Sequence, residues 1–346
     1  MAEPRRTSWK TGVVPMAVSA LAALGGAEVV IRVFGLSTTL SSYRHPDMAK
    51  YSLLVRQGDD RELPLVVPNA EAAIEGIPFR INSRGFRDRE FSEAKMPGTV
   101  RIVCLGDSVT FALDLPLEAS YPKRLEADLR AAGLRVETLN FGAPHFDLPQ
   151  HVAHYQRKAA AFRPDIVVLQ FGLNDLQYAP QSAPLAAESR PDPLVSRILR
   201  SSAVYLFAAE RYNYLAVRMG SRRPIMDSYA TQPVHWAHAR QMLGPLFAEM
   251  KRAGVTVVLA YFPYEFAVYS GRPELAEPSR QLAALATELE VEFLDVTPDL
   301  KAAYSLRRSV FLDDTHLTAW GNEVAARAVG RAVEPLVRRP AARVIR

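Results

Sequence analysis

From about Pro97 onward, short runs of β-branched and other apolar residues alternate with helix-patterned stretches, and this alternation restricts the possible folds most. Strands that alternate with amphipathic helices build βαβ units, whose crossovers place helices on the faces of a parallel sheet. "VRIVCL" (100–105) reads as a first strand and "YPKRLEADLRAAG" (121–133) as a helix closed by Gly133. "RVETLNFG" (135–142) and "QHVAHYQRKAAAF" (150–162) form the second strand and helix. "DIVVLQFG" (165–172) is a third strand, a continuous apolar run as expected of a strand buried on both faces. "HWAHARQMLGPLFAEMKRAG" with "VTVVLAYFP", and "EPSRQLAALATELE" with "VEFLDV", add two helix–strand pairs. "GNEVAARAVGRAVEPLV" (321–337) is a closing helix. The expected class is α/β, with the main domain at 98–338.

Other segments flank or interrupt this domain. Residues 36–97 hold short apolar runs such as "RELPLVVPN" and "IPFRINSRGFRD", without a long helical period. They are expected to form short strands and loops against the main domain. "NSRGFRD" reads first as a turn on Gly85, with Asn82 and Arg87 reaching a site as the second reading. An insertion at about 176–233 contains "LVSRILRSSAVYLFAAERYNYLAVRM", an amphipathic helical stretch. In order of preference it is a helix packed on the sheet, a lid over a pocket, or a membrane-facing cap. The basic tail, 339–346, reads as a frayed terminus.

The N-terminal segment, 1–35, carries a different signal. Arg5, Arg6 and Lys10 precede "TGVVPMAVSALAALGGAEVVI", whose one charge is Glu28. About 20 mostly apolar residues suffice to span a bilayer. The competing readings are a cleaved signal peptide ending near Ala27 and a buried helix of the soluble domain. The pattern runs on through Val29, Val30 and Ile31, which favours an uncleaved anchor. Basic residues ahead of it would keep the N-terminus in the cytoplasm and place the rest outside.

The net charge of +5 is spread along the chain without a Lys/Arg stripe interleaved with aromatics, so nucleic acid is not an expected partner. Cys104 is the single cysteine, which excludes an internal disulfide and Cys-x-x-Cys metal spacing. It reads as a small buried thiol. Oligomeric state is not legible.

Open parallel sheets bind ligands beyond the carboxyl ends of their strands. There the sequence places Gly106-Asp107-Ser108, then Asn140-Phe141-Gly142, then Gly172-Leu173-Asn174-Asp175, and finally "FLDDTH" with Asp313 and His316. This is what acyl transfer needs. A serine hydroxyl requires a base, for which His316 is available. The base requires an orienting carboxylate, either Asp313 or the adjoining Asp314. A tetrahedral oxyanion requires donors, which the N–H groups of Ser108 and Gly142 and the Asn174 amide could supply. Each residue also has a plain structural reading: Ser108 as a helix cap, Gly142 and Asn174 as turn residues, and His316 as a cap of the last helix. It is their joint occurrence that favours chemistry.

The order "GDS", "NFG", "GLND" and "DDTH" resembles the SGNH (GDSL-type) esterase and lipase family, over roughly Arg101 to Leu336. The resemblance implies catalytic Ser108 and His316 with Asp313 in the Asp-x-x-His position. It also implies an oxyanion hole of Ser108, Gly142 and Asn174, with Asp107 and Gly172 in support. It further implies a flavodoxin-like three-layer α/β/α sandwich with a five-stranded parallel sheet and no cofactor. The arrangement of N-terminal anchor and "NSRGFRD" is similar to bacterial membrane-tethered members. Two departures stand out: Ala112 where many relatives carry Gly, and His145 where they often place Gly. No Gly-x-Ser-x-Gly elbow is present, which argues against the α/β-hydrolase fold. The expected activity is hydrolysis of small acyl esters, such as O-acetyl groups on extracellular polysaccharide or cell-wall glycan. The alternatives are acyl transfer to a sugar hydroxyl, a lipase or thioesterase, and a catalytically silent binding module.

Overall fold

The computed structural model describes residues 9–34, 36, 51, 54–56, 65–74, 76–177, 195, 199, 201–221, 227–305 and 308–339. Most of the basic tail and residues 178–194 of the insertion lie outside the described residues. The chain opens with helix α1 (Trp9–Val33), followed by two small antiparallel pairs, β1 (Val55–Arg56) with β2 (Leu65–Val66) and β3 (Glu71–Ile74) with β4 (Ile77–Arg80).

The main sheet follows: β5 (Val100–Gly106), β6 (Val136–Gly142), β7 (Ile166–Phe171), β8 (Thr256–Tyr261) and β9 (Glu292–Asp295). All five strands are parallel, in the order β6-β5-β7-β8-β9. This is the flavodoxin-like order, in which the chain reverses direction across the sheet beside its first strand and opens a crevice at the carboxyl ends. The β-branched runs form strands because β5, β6, β7 and β8 are covered on both sides, whereas the edge strand β9 is only partly buried. Alternate residues of each strand face opposite layers. Val103, Leu105, Val167, Leu169 and Leu259 pack under α4 (Leu148–Arg157), α7 (Pro233–Arg252) and α9 (Glu277–Glu288). Ile102, Cys104, Val168, Val258 and Ala260 pack under α3 (Tyr121–Ala131) and α11 (Ala319–Arg338). The molecule is thus a three-layer α/β/α sandwich.

The segment ahead of β5 builds a third, smaller core. Tyr51, Leu54, Val66, Ile74, Phe79 and Ile81 pack against Phe111, Leu113 and Phe146, residues of the segments that follow β5 and β6. "NSRGFRD" is a turn, with Gly85 at φ +82° and Asn82 Oδ1 accepting from the amides of Arg84 and Phe86. Arg87 nevertheless extends inward. It is 1% exposed, lies 3.9 Å above the Phe79 ring, and donates to the carbonyls of Phe111 (2.7 Å), Ala112 and Leu115.

The insertion corrects the leading expectation. Its helix α5 (Ala203–Arg218) packs on α1, and none of its described side chains joins the clusters buried on either face of the sheet. The reason is local. Glu28, the acid within the apolar segment, accepts from the amides of Ala203 and Val204 and from Ser202 Oγ, satisfying orphan donors at the start of α5. α1 contains a 20-residue apolar stretch, Val14–Val33, long enough to cross a membrane, and almost none of it is buried.

Candidate active site

Strand β5 ends at Gly106, where the chain turns tightly against β7. A Cβ there would lie 2.1 Å from Thr110 Oγ1 and 2.4 Å from Gln170 Oε1, so only glycine fits. Gln170 Oε1 accepts from the Asp107 amide (2.9 Å) and from Thr110 Oγ1 (3.1 Å), fixing the turn from below. The next four residues form a short helix, α2 (Ser108–Phe111). Its cap is Asp107, whose Oδ1 accepts from the Val109 amide at 2.8 Å. Ser108 is therefore the first helical residue and not the cap, which leaves its hydroxyl free for other partners. The helix ends at Ala112, in the left-handed region with φ +61°.

That hydroxyl meets His316. Ser108 Oγ lies 2.8 Å from His316 Nε2, and His316 Nδ1 lies 2.6 Å from Asp313 Oδ2. Asp313 Oδ1 also accepts from the amides of Thr315 (2.8 Å) and His316 (2.6 Å), so the loop wraps the carboxylate. Asp314 points elsewhere, with Thr315 Oγ1 at 3.3 Å from its carboxylate. Capping of α11 falls to Thr318, whose Oγ1 accepts from Gly321 N. Burial opposes a charge on His316, but the Asp313 carboxylate outweighs it, with Asp107 and Asp314 adding, and the pKa rises to about 9. Burial likewise works against the Asp313 anion, yet His316 and the loop amides hold its pKa below the ordinary value. A base hydrogen-bonded to a hydroxyl and oriented by a buried carboxylate has the geometry of an activated nucleophile.

Asn174 enters from the turn after β7. Gly172 starts this turn, and a Cβ on it would meet Asn174 Oδ1 at 2.5 Å. The Gly172 amide donates to Asp175 Oδ2, and Asn174 Nδ2 donates to Asp107 Oδ2 at 2.9 Å and to the Phe146 carbonyl at 3.3 Å. The Asn174 amide thus sits one carboxylate away from Ser108. Gly142 pairs with Gly106 at the strand ends. A Cβ on Gly142 would meet Phe111 N at 2.2 Å, so glycine is required for α2 to lie against β6. Its amide donates to Asn140 Oδ1 at 2.9 Å and can reach an oxyanion only by sharing or leaving that bond. His145 is exposed, with φ +62°, on the turn after β6.

The structure therefore brings Ser108, His316, Asp313, Asn174 and Asp107 into one connected set, with Gly106, Gly142 and Gly172 allowing the close approaches. Beside this set, Gln170 and His151 have no place among the candidates read from the sequence, and Arg87 enters there only as the second reading of its turn. Gln170 breaks the apolar run of β7, and that break was its signal. Arg87 clamps the chain behind α2. His151, wholly buried on α4, lies 3.2 Å from Asp175. Burial opposes charge on His151, but Asp175 raises its pKa above the ordinary value. Among the described residues, no cluster of three or more His, Cys, Asp or Glu side chains is placed to hold a metal ion.

Comparison with known proteins adds an independent line. The model of the GDSL-like lipase/acylhydrolase family matches residues 104–324. Similar solved structures include an acetyl xylan esterase, AlAXEase, 16% identical, covering 68% of this chain and 100% of that one at a TM-score of 0.45. A lipase/acylhydrolase from Enterococcus faecalis is 18% identical, with 68% and 96% covered and a TM-score of 0.43. A catalytic mutant of an acetylxylan esterase from Geobacillus stearothermophilus is 16% identical, with 68% and 94% covered and a TM-score of 0.44. No curated protein matches the sequence.

Proposed function

The chain belongs to the GDSL-like lipase/acylhydrolase family and is an ester-hydrolysing enzyme, and on that premise we propose that Ser108 is its nucleophile, His316 its general base and acid, and Asp313 the residue that orients the base. The observation that carries this reading is the hydrogen-bonded chain Ser108 Oγ, His316 Nε2, His316 Nδ1, Asp313 Oδ2, with separations of 2.8 and 2.6 Å.

In this mechanism Ser108 Oγ attacks the ester carbonyl carbon while its proton passes to His316 Nε2. The negative charge that forms on the carbonyl oxygen is met by the Ser108 N–H, by the Asn174 amide once it releases its long bond to the Phe146 carbonyl, and by the Gly142 N–H once it shares its bond to Asn140. Each such donor is worth about 10²–10³ in turnover, because it is preorganised toward charge that exists only in the transition state. Collapse breaks the bond to the alcohol oxygen, which leaves with the proton from His316. The acyl group stays on Ser108. Water then gives a proton to His316 and attacks the acyl carbon; the carboxylic acid departs, and Ser108 recovers its proton from His316. Asp313 stays ionised throughout, stabilising the imidazolium.

The proposed substrates are small acyl esters, including O-acetyl groups on extracellular polysaccharide or cell-wall glycan. We read α1 as an uncleaved single span with the N-terminus inside, which puts the hydrolase domain outside the cytoplasm. Two features support this: the apolar stretch continues past Ala27 to Val33, and Glu28 is bonded to α5 of the catalytic chain. Turnover of a series of p-nitrophenyl esters, from acetate upward, by the full-length chain in detergent tests the activity. Rates falling with acyl length support the small-ester reading, and a preference for long chains points to a lipase.

A further inference from the structure

The contact between α1 and α5 assigns the insertion a role beyond that chemistry. Glu28 Oε1 accepts from Ala203 N at 2.8 Å and Oε2 from Val204 N at 2.9 Å, while Arg32 Nη2 donates to the Ser201 carbonyl at 2.6 Å. These bonds pin the start of α5 to the last turns of α1, where the apolar stretch Val14–Val33 ends. From there α5 presents Ala208, Tyr212 and Leu215 to the outside, and Met219, in the turn that directly follows it, continues the row. Their spacing of four, three and four residues puts them on a single helix face. Tyr212 is 70% exposed, Leu215 51% and Met219 78%. Such a stripe of large apolar side chains calls for a covering surface. In sequence, residues 203–223 carry four arginines, at 211, 218, 222 and 223, against one acid, Glu210. Two of these arginines lie on α5 and two follow it in sequence, and an apolar stripe on a helix with basic residues on it and next to it along the chain is the pattern of a helix lying in the interfacial layer of a bilayer.

We propose that α5 lies in the headgroup layer of the membrane crossed by α1, with Ala208, Tyr212, Leu215 and Met219 turned into the lipid. The proposal rests on the reading of α1 as a bilayer span. The insertion leaves the sheet at Leu176, in the same turn as Asn174, and rejoins it at α6 (Asp227–Ala230), which packs back on that turn. The segment held at the membrane thus belongs to the same excursion of the chain as the turn that carries Asn174, and α6 brings its far end back to that turn.

Cys104 is the chain's single cysteine and is fully buried, so a nitroxide placed on an introduced cysteine reports one position. The full-length chain carrying Met219→Cys, with Tyr212→Cys as a second variant should the first not fold, is reconstituted in vesicles of phosphatidylethanolamine and phosphatidylglycerol. Val18→Cys, in the middle of α1, is the reference. Collision with oxygen, which concentrates in lipid, is compared with collision with a water-soluble nickel chelate. The proposal expects oxygen to dominate at both Met219 and Val18. Oxygen dominating at Val18 but nickel at Met219 and Tyr212 overturns the interfacial helix and leaves the anchor standing. Nickel dominating at Val18 overturns the anchor and the interfacial helix with it. Low collision with both reagents at Met219 and Tyr212 means that protein, such as a second copy of the chain, covers the stripe, and this too overturns the proposal.

Discussion

Asp107 accepts from Asn174 Nδ2 at 2.9 Å through one carboxylate oxygen and caps the helix that begins at Ser108 through the other. One side chain thus ties the helix of Ser108, the proposed nucleophile, to Asn174, the proposed oxyanion donor. Asp107→Ala is expected to cost about 1 kcal/mol as a lost helix cap. It is also expected to lower kcat by about 10²–10³, the amount of one misplaced donor. Thermal melting and ester kinetics on the same sample separate the two effects.

Asn174→Ala removes the donor without the cap. Its expected signature is a fall of about 10²–10³ in kcat with KM little changed, because the interaction is made chiefly in the transition state. A rise in KM with unchanged kcat would instead assign Asn174 to substrate binding.

The pH dependence follows from His316. As the proposed base, His316 works only when neutral, and Asp313 raises its pKa to about 9, so kcat/KM should climb with pH and level off above that value. Stability runs the opposite way. The folded pKa exceeds the ordinary value of about 6.5, so the histidine's contribution is complete below that pH and is lost as pH rises toward 9. In Asp313→Asn the opposing carboxylate is gone and burial remains, so the activity limb should move to lower pH. Its kcat should fall by about 10⁴, as the base loses its orientation.

Ala112 holds φ +61° at the end of α2. A left-handed alanine costs about 1–2 kcal/mol relative to an unstrained backbone, and glycine escapes the penalty. Ala112→Gly should therefore stabilise the fold, raising Tm by about 2–4 °C for each kcal/mol gained. Differential scanning calorimetry checks it.

Arg87 donates to three carbonyls behind the serine helix from a position closed to solvent. Arg87→Met keeps much of the volume but leaves those acceptors unpaired, at about 1–3 kcal/mol each. A marked loss of stability in denaturant titration is the expected result.

These residues also show how much the sequence disclosed. The strands of the main sheet were legible because burial on both faces leaves a direct mark, a short apolar run. The groups at their ends were legible because an open parallel sheet gathers them on one rim. Asp107 as the cap, Gln170 beneath the turn and Arg87 behind α2 were not, since their roles depend on chain segments brought together only by the fold. The same holds for α5. Its amphipathic pattern announces a helix, but its partner is selected by Glu28, 175 residues away from Ala203. A charge near the end of an apolar segment reads only as an interruption until the helix it caps is seen.

The measurement that bears most directly on the account is hydrolysis of p-nitrophenyl acetate by the full-length chain in detergent beside its Ser108→Ala variant. Turnover is expected in the parent and a loss to near background in the variant, with both folded by circular dichroism. Undiminished turnover in a folded Ser108→Ala chain would contradict it, because the nucleophile would then lie elsewhere.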